Sequence, residues 1–181
     1  VAGGGNAWWN DVLAKGQDSA HARVFDIDWS RLGAKNKLVV PFLGDRYGEA
    51  LEKGTLELKF DAKKGAFSIW HYEHEFPICP LQYPTILNRS LAALGDIEDA
   101  AALEVLGISE RLRLMGEDTS DERRRAFPAE AEELKERLVE AVEASPAIAA
   151  AIGRTLKLLN GAKGHPDSFG PLHRLLEQQS Y

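Results

Sequence analysis

The sequence predicts an α+β fold, with a small β-hairpin-containing lobe followed by a mainly helical one. Period-two alternation is confined to TLELKF (Thr55 to Phe60) and GAFSIWHY (Gly65 to Tyr72). Helical spacing of apolar residues takes over from Thr85 onward. Pro77, Pro80 and Pro84 lie between the two and force an extended, irregular crossing. The division therefore falls there, into residues 1–84 and 85–181.

After a glycine-rich lead (Gly3 to Gly5), Trp8 to Lys15 reads as a short helix. Trp8, Val12 and Leu13 share a face, and Gly16 closes it. Phe25 to Trp29 (FDIDW) is a short strand or extended piece. Lys37 to Phe42 is a short apolar strand that Pro41 demotes toward an edge. Arg46 to Lys53 makes a helical turn or two before Gly54. In the hairpin, Leu56, Leu58 and Phe60 lie on one face of the first strand. Phe67, Ile69 and His71 alternate with Ser68, Trp70 and Tyr72 on the second, and Asp61 to Gly65 is the polar loop between them.

Helices are then expected over Leu87 to Leu94, over Asp96 to Leu106 with Gly107 as stop, and from about Pro128 to Ala144. In the last of these, Leu134, Leu138 and Val142 make the apolar stripe and Glu133 and Arg137 pair on the wet side. Thr119 with Glu122 reads as a capping box, and Phe127-Pro128 as a kink or restart. Ser145-Pro146 opens a further helix with Ile148, Ile152, Leu156 and Leu159 inside and Asn160-Gly161 as its end. GAKGHP (Gly161 to Pro166) links it to a last helix from Phe169 to about Gln179.

Composition narrows the function classes. The 181 residues are 44% hydrophobic and 28% charged, values usual for a globular domain. A net charge of -6 leaves no basic footprint for nucleic acid. The Arg123, Arg124, Arg125 run follows Asp118, Asp121 and Glu122 and reads as a solvated face. No apolar run reaches the roughly 20 residues of a membrane span. The lone Cys79 rules out an internal disulfide and fits a reducing compartment, so a cytoplasmic location is expected. Set between prolines in FPICP, it reads as a small apolar filler. Glycine-rich nucleotide loops and the GxSxG elbow are missing, and no cofactor is expected.

Two constellations invite a catalytic or metal reading. Asp26 and Asp28 on a strand would point the same way, about 7 Å apart. That separation suits a glycosidase pair, but such pairs grip the bond from opposite sides. Capping, or pairing with Arg23 or Arg31, is the expected role. HYEHEF (His71 to Phe76) offers two histidines and two glutamates, yet on a strand His71 and His74 would face opposite sides. No metal site and no self-sufficient catalytic set are therefore expected.

The stretch Asn6–Trp8–Trp9–Asp11–Val12–Leu13, with Gly16, Ser19 and Ala22 leading into Phe25–Asp26–Ile27–Asp28–Trp29, closely resembles maltooligosyltrehalose synthases. These are glucosylmutases of the α-amylase superfamily (glycoside hydrolase family 13). VVPFLGDRYGEAL (Val39 to Leu51), GAFSIWHYEHEFPICP (Gly65 to Pro80), Asn160-Gly161 and LHRLLEQQSY (Leu172 to Tyr181) also look like the family, in order. Val24 and His71 depart from it, standing where an aromatic residue and a tyrosine are usual.

The resemblance implies a non-catalytic insertion between the third and fourth strands of a (β/α)₈ barrel, where long loops build the cleft wall. It implies that the nucleophilic aspartate, the general-acid glutamate and the third carboxylate lie elsewhere. Val1 is then read as a fragment boundary. The implied partners are a maltooligosaccharide substrate and the barrel itself. Trp8, Trp9, Tyr72 and His74 are the candidate substrate-lining residues, against a competing reading of Trp8 and Trp9 as packing toward the barrel. Self-association is expected through the apolar edge of Trp8, Trp9, Val12, Leu13, Phe25 and Trp29. Two alternatives stay open: a free-standing carbohydrate-binding or interaction module, and the equivalent insertion of another amylase-superfamily glycosidase.

Overall fold

The computed structural model describes residues 6–32, 37–38, 46–95, 99–179 and 181. Within them the fold is α+β, with seven α-helices and one three-stranded antiparallel sheet. The glycine-rich lead lies outside the described residues, as does the strand expected over 37–42 apart from Lys37 and Leu38.

Helix α1 is Ala7–Lys15. The Asn6 side chain accepts the free N–H groups of Trp8 (3.1 Å) and Trp9 (3.3 Å), which sets where the helix begins. Gly16 ends it at a φ of 58°, a conformation that favours glycine. Val12 and Leu13 are buried, but Trp8 does not share their inward face, being 53% exposed. FDIDW is not a strand. Ile27 N–H bonds the Phe25 carbonyl (2.9 Å), Trp29 N–H bonds that of Ile27 (3.1 Å), and Trp29–Arg31 is a 3₁₀ turn. Two tight three-residue turns in succession replace the extended spacing that would align Asp26 and Asp28.

Helix α2, Tyr47–Glu52, leads into the sheet. Strands β1 (Leu56–Asp61) and β2 (Ala66–His71) form the expected hairpin, with Leu58 opposite Ile69 and Phe60 opposite Phe67. Gly65 closes its turn at a φ of +58° and is required a second time by packing. A Cβ there would lie 2.2 Å from the Lys135 carbonyl oxygen. A third strand, β3 (His74–Pro77), extends the sheet in the order β1-β2-β3. The prolines alone point to an irregular crossing here, because the run before Pro77 is too short to show alternation.

The helices continue as α3 (Tyr83–Ala92), α4 (Ala100–Glu117), α5 (Asp121–Ala144), α6 (Pro146–Leu159) and α7 (Gly170–Glu177). Helix α4 runs straight through Gly107, the expected stop. Ile108, Leu112 and Met115 beyond it are buried, and a mid-helix glycine costs only about 1 kcal/mol. Helix α5 is likewise one unit with Pro128 inside it, and it begins earlier than expected. Ser120, rather than Thr119, is its cap, accepting Arg123 N–H at 3.2 Å. Phe127 is fully buried beside the proline, so packing holds the turn that Pro128 weakens. Ser145 precedes α6 as expected, but its hydroxyl donates to Asp99 (2.7 Å) rather than capping the helix.

One apolar cluster joins the sheet to the helices: Leu58, Phe67 and Ile69 pack in the same group as Leu87, Ile108, Leu138 and Ile152. Asn160, at the end of α6, clamps the sheet's outer strand. Its Oδ1 accepts Leu58 N–H (2.7 Å) and its Nδ2 donates to the Leu58 carbonyl (3.0 Å). Among the described residues no helix is long and apolar enough to cross a membrane.

Candidate functional site

The four sequence-predicted residues lie on two elements. Trp8 and Trp9 sit side by side on α1 but do different things. The Trp8 indole stacks on His21 with centroids 5.0 Å apart and planes 10° apart, while more than half of the residue stays open to solvent. Trp9 is half-buried and meets Phe25 edge-on at 5.1 Å, so its ring is largely spent on packing. Tyr72 lies in the β2–β3 turn, where it takes a positive φ of 52° and is 69% exposed, and His74 opens β3. His74 is exposed, with Nε2 3.8 Å from Glu73. Helix α1 packs against β3, so the two pairs occupy neighbouring elements. No ring contact joins the tryptophans to Tyr72 or His74 among the described residues.

The two histidines of HYEHEF require a correction. His71 and His74 are direct partners in the β2–β3 register and therefore share a face, contrary to the alternation assumed for a single strand. A two-residue turn folds the chain back between them. His71 is nonetheless buried and its Nδ1 donates to the Thr55 carbonyl (3.2 Å), whereas His74 points its ring nitrogen toward Glu73. Among the described residues, no three ligating side chains converge as a metal site would need.

Asp28 caps the 3₁₀ turn, its Oδ1 accepting both the backbone N–H (3.1 Å) and the hydroxyl (2.5 Å) of Ser30. Asp26 is exposed. Burial pushes the Cys79 thiol up to about 11, so it is protonated near neutrality, in keeping with a small apolar filler.

Two of the concave regions bring polar side chains together. The first, of about 320 Å³, is lined mainly by apolar groups of Leu56, Ile69, Leu176 and Tyr181. At its edge the Tyr47 hydroxyl lies 2.9 Å from His173 Nδ1, and His173 Nε2 lies 3.7 Å from Glu177. Burial, with the Glu177 charge adding to it, raises Tyr47 to about 12.

The second, of about 350 Å³, opens between α1, α5 and the sheet. Asp11 and Lys15 reach it from α1, Glu132 and Lys135 from α5, Lys64 from the hairpin turn and Glu75 from β3. Lys15, only 6% exposed at its side chain, bridges Asp11 (2.7 Å) and Glu132 (3.0 Å), and Glu132 also takes Lys135 at 2.6 Å. Burial alone would lower Lys15, but its bonds to Asp11 and Glu132 outweigh that and hold the ammonium above its ordinary range. Burial raises Glu132, and Lys135 and Lys15 more than reverse it, holding the carboxyl below its ordinary range. Tyr83, at 2% exposure, and Phe67 line the same cleft. Sequence reasoning missed this site. Its signals were only the ordinary helical pairs Asp11/Lys15 and Glu132/Lys135, which look like any solvated helix surface until folding brings the two helices together.

No family model matches the chain, and no solved structure matches it. Two proteins of Mycobacterium tuberculosis, from strains CDC 1551 / Oshkosh and H37Rv, are each 54% identical to it over 39 residues. Both carry the provisional name maltooligosyl trehalose synthase. The match takes in 22% of this chain and spans 5% of the length of those relatives. It ties a local stretch of the chain to that enzyme.

Proposed function

We propose that this chain is a non-catalytic region of a maltooligosyltrehalose synthase of glycoside hydrolase family 13, forming part of the wall around the glucan site. The local match at 54% identity carries the reading. In the reaction this implies, C1 of the penultimate glucosyl unit leaves O4 of the reducing-end glucose for an enzyme carboxylate. It is then taken by O1 of the same glucose, which gives an α,α-1,1 link. The enclosing wall has two tasks: to hold the released glucose while it turns, and to keep out the water that would otherwise capture the glucosyl group. Trp8, Trp9, Tyr72 and His74 are the proposed substrate-lining residues. The solvent-open Trp8 ring suits stacking on a sugar best of the four. The reacting carboxylates belong to the barrel in this reading, so the region acts by shape and exclusion.

The test is to incubate the 181-residue chain with maltopentaose and analyse the products. Neither a trehalose-ended saccharide nor free glucose is expected. Formation of either, abolished by Asp26→Asn or Asp28→Asn, would move the chemistry into this chain and refute the proposal.

A further inference from the structure

We infer that a third concave region, between the outer edge of β1 and the end of α6, binds a phosphorylated small molecule, with a diphosphate group the best match; this stands independently of the functional reading above. The region measures about 630 Å³ and is lined by Lys53, Lys59, Lys157 and Lys163. Glu57 is the one acid in its wall among the described residues. The chain as a whole carries a net charge of -6, so this gathering of cations runs against its overall balance. Lys59 pairs with Glu57 at 3.1 Å, and Lys53 lies 3.9 Å from Glu49. Among the described residues no ion pair engages Lys157 or Lys163, and both are exposed. Two cations are thus left uncompensated where a ligand meets them directly from solvent.

The backbone supplies further donors. Strand β1 lies at the edge of the sheet, and the Leu58 N–H and carbonyl point outward to Asn160 instead of toward β2. Outward groups recur at every second residue of an antiparallel strand, so the N–H groups of Leu56 and Phe60 face the same side. The partner strand agrees. Phe67, opposite Phe60, gives its N–H to the Tyr83 hydroxyl and its carbonyl to Ile78 N–H, both away from β1. Among the described residues neither the Leu56 nor the Phe60 N–H has an acceptor on the outer side, and both residues line the region. Ammonium and amide donors together suit phosphoryl oxygens, which accept only. Access is open, since a Cβ added at Gly54 or Gly153 on the wall would meet nothing within 4 Å. Larger polyanions fit less well. Asn160 occupies the middle of the β1 edge, so an acidic peptide cannot add there as a further strand. The chain's own negative charge opposes approach to a nucleic acid or an anionic membrane.

The test is titration of the chain with inorganic pyrophosphate, followed by amide chemical shifts and by calorimetry at roughly 0.05 and 0.2 M salt. Saturable shifts of the Leu56, Phe60 and Lys163 amides are expected, with weaker affinity at the higher salt. Lys157→Ala and Lys163→Ala should each weaken binding about threefold, as loss of an exposed charge pair does, and together about tenfold, with unchanged melting temperature. Gly153→Asp, which sets an anion on the open wall, should also weaken it. Arg125→Ala removes an exposed cation of α5 outside the region and should leave affinity unchanged. Absence of saturable binding, equal affinity in the double lysine variant, or a loss in Arg125→Ala matching the loss in that variant would overturn the assignment. Tighter binding of an oligoglutamate peptide or of phosphatidate vesicles than of pyrophosphate would overturn it too, making the surface a docking site for a larger polyanion.

Discussion

Replacing Asn160 by alanine should cost about 2–3 kcal/mol, although no apolar contact is lost. The carboxamide makes two hydrogen bonds to the Leu58 peptide, at 2.7 and 3.0 Å, in the pattern of a neighbouring strand. At a net worth of about 1 kcal/mol each, the bonds account for roughly 2 kcal/mol. Leu58 is 1% exposed, so its peptide groups lie where water enters only if the end of α6 moves, and the remainder comes from that. For a chain of this size about 2–4 °C is lost per kcal/mol, so melting should fall by roughly 4–12 °C. Asn160→Asp keeps the acceptor for Leu58 N–H but sets an anion against the Leu58 carbonyl, and should be at least as damaging. The freed outer edge of β1 should also invite pairing between molecules, visible as association that grows with concentration. Urea unfolding of the two variants beside the parent chain is the assay. A cost below about 0.5 kcal/mol for alanine, or an aspartate milder than alanine, would show that the clamp contributes nothing.

Further outcomes follow from the charge network, the aromatic pair and the histidines. Glu132 is held below its ordinary value of 4.5 by Lys135 and Lys15, so its contribution is present above about pH 4.5 and lost as pH falls through the depressed value. Lys15→Met removes one of those cations and leaves less of this contribution to lose, so melting followed from pH 7 to about pH 3 should show a shallower acid decline than in the parent chain. An unchanged acid profile would refute the coupling. Trp8→Ala should cost less than about 1 kcal/mol and Trp9→Ala about 2 or more, since only Trp9 packs between neighbours; the reverse order by urea unfolding would refute this placement. Sedimentation across a concentration series should show weak association that Trp8→Ala reduces, and a monomer at every concentration would count against an adhesive apolar edge. EDTA should leave the melting temperature unchanged, and a substantial fall would make HYEHEF a ligand set after all.

The hairpin and α6 were legible because their local signals agree with their burial. Leu56, Leu58 and Phe60 alternate with charged residues, and Pro146 and Asn160-Gly161 punctuate the helix at both ends. Gly107 and Pro128 misled because local propensity is worth only a few kcal/mol at most, and the buried faces of α4 and α5 exceed it. Strand β3 was hidden by brevity, since HEFP has no period of its own and is stabilised by pairing with Ser68 to His71. FDIDW failed for another reason. Its alternation of aromatic and acidic residues imitates a strand, while the backbone closes two tight turns that only the surrounding packing selects. The candidate site divides in the same way. The exposed Trp8 belongs to a conspicuous motif, whereas the charged cleft is assembled from four segments far apart in sequence, none of them unusual alone.

The central claim is that this chain serves a glucan-rearranging enzyme whose reacting carboxylates lie outside it. Its most direct test is to express the complete reading frame that contains these residues, incubate the product with maltopentaose, and compare it with the 181-residue chain. The account predicts that the complete protein converts maltopentaose to a non-reducing saccharide ending in an α,α-1,1 link while the chain alone leaves the sugar intact. A complete protein that leaves maltopentaose unchanged, or a chain that reacts without the rest, would contradict it.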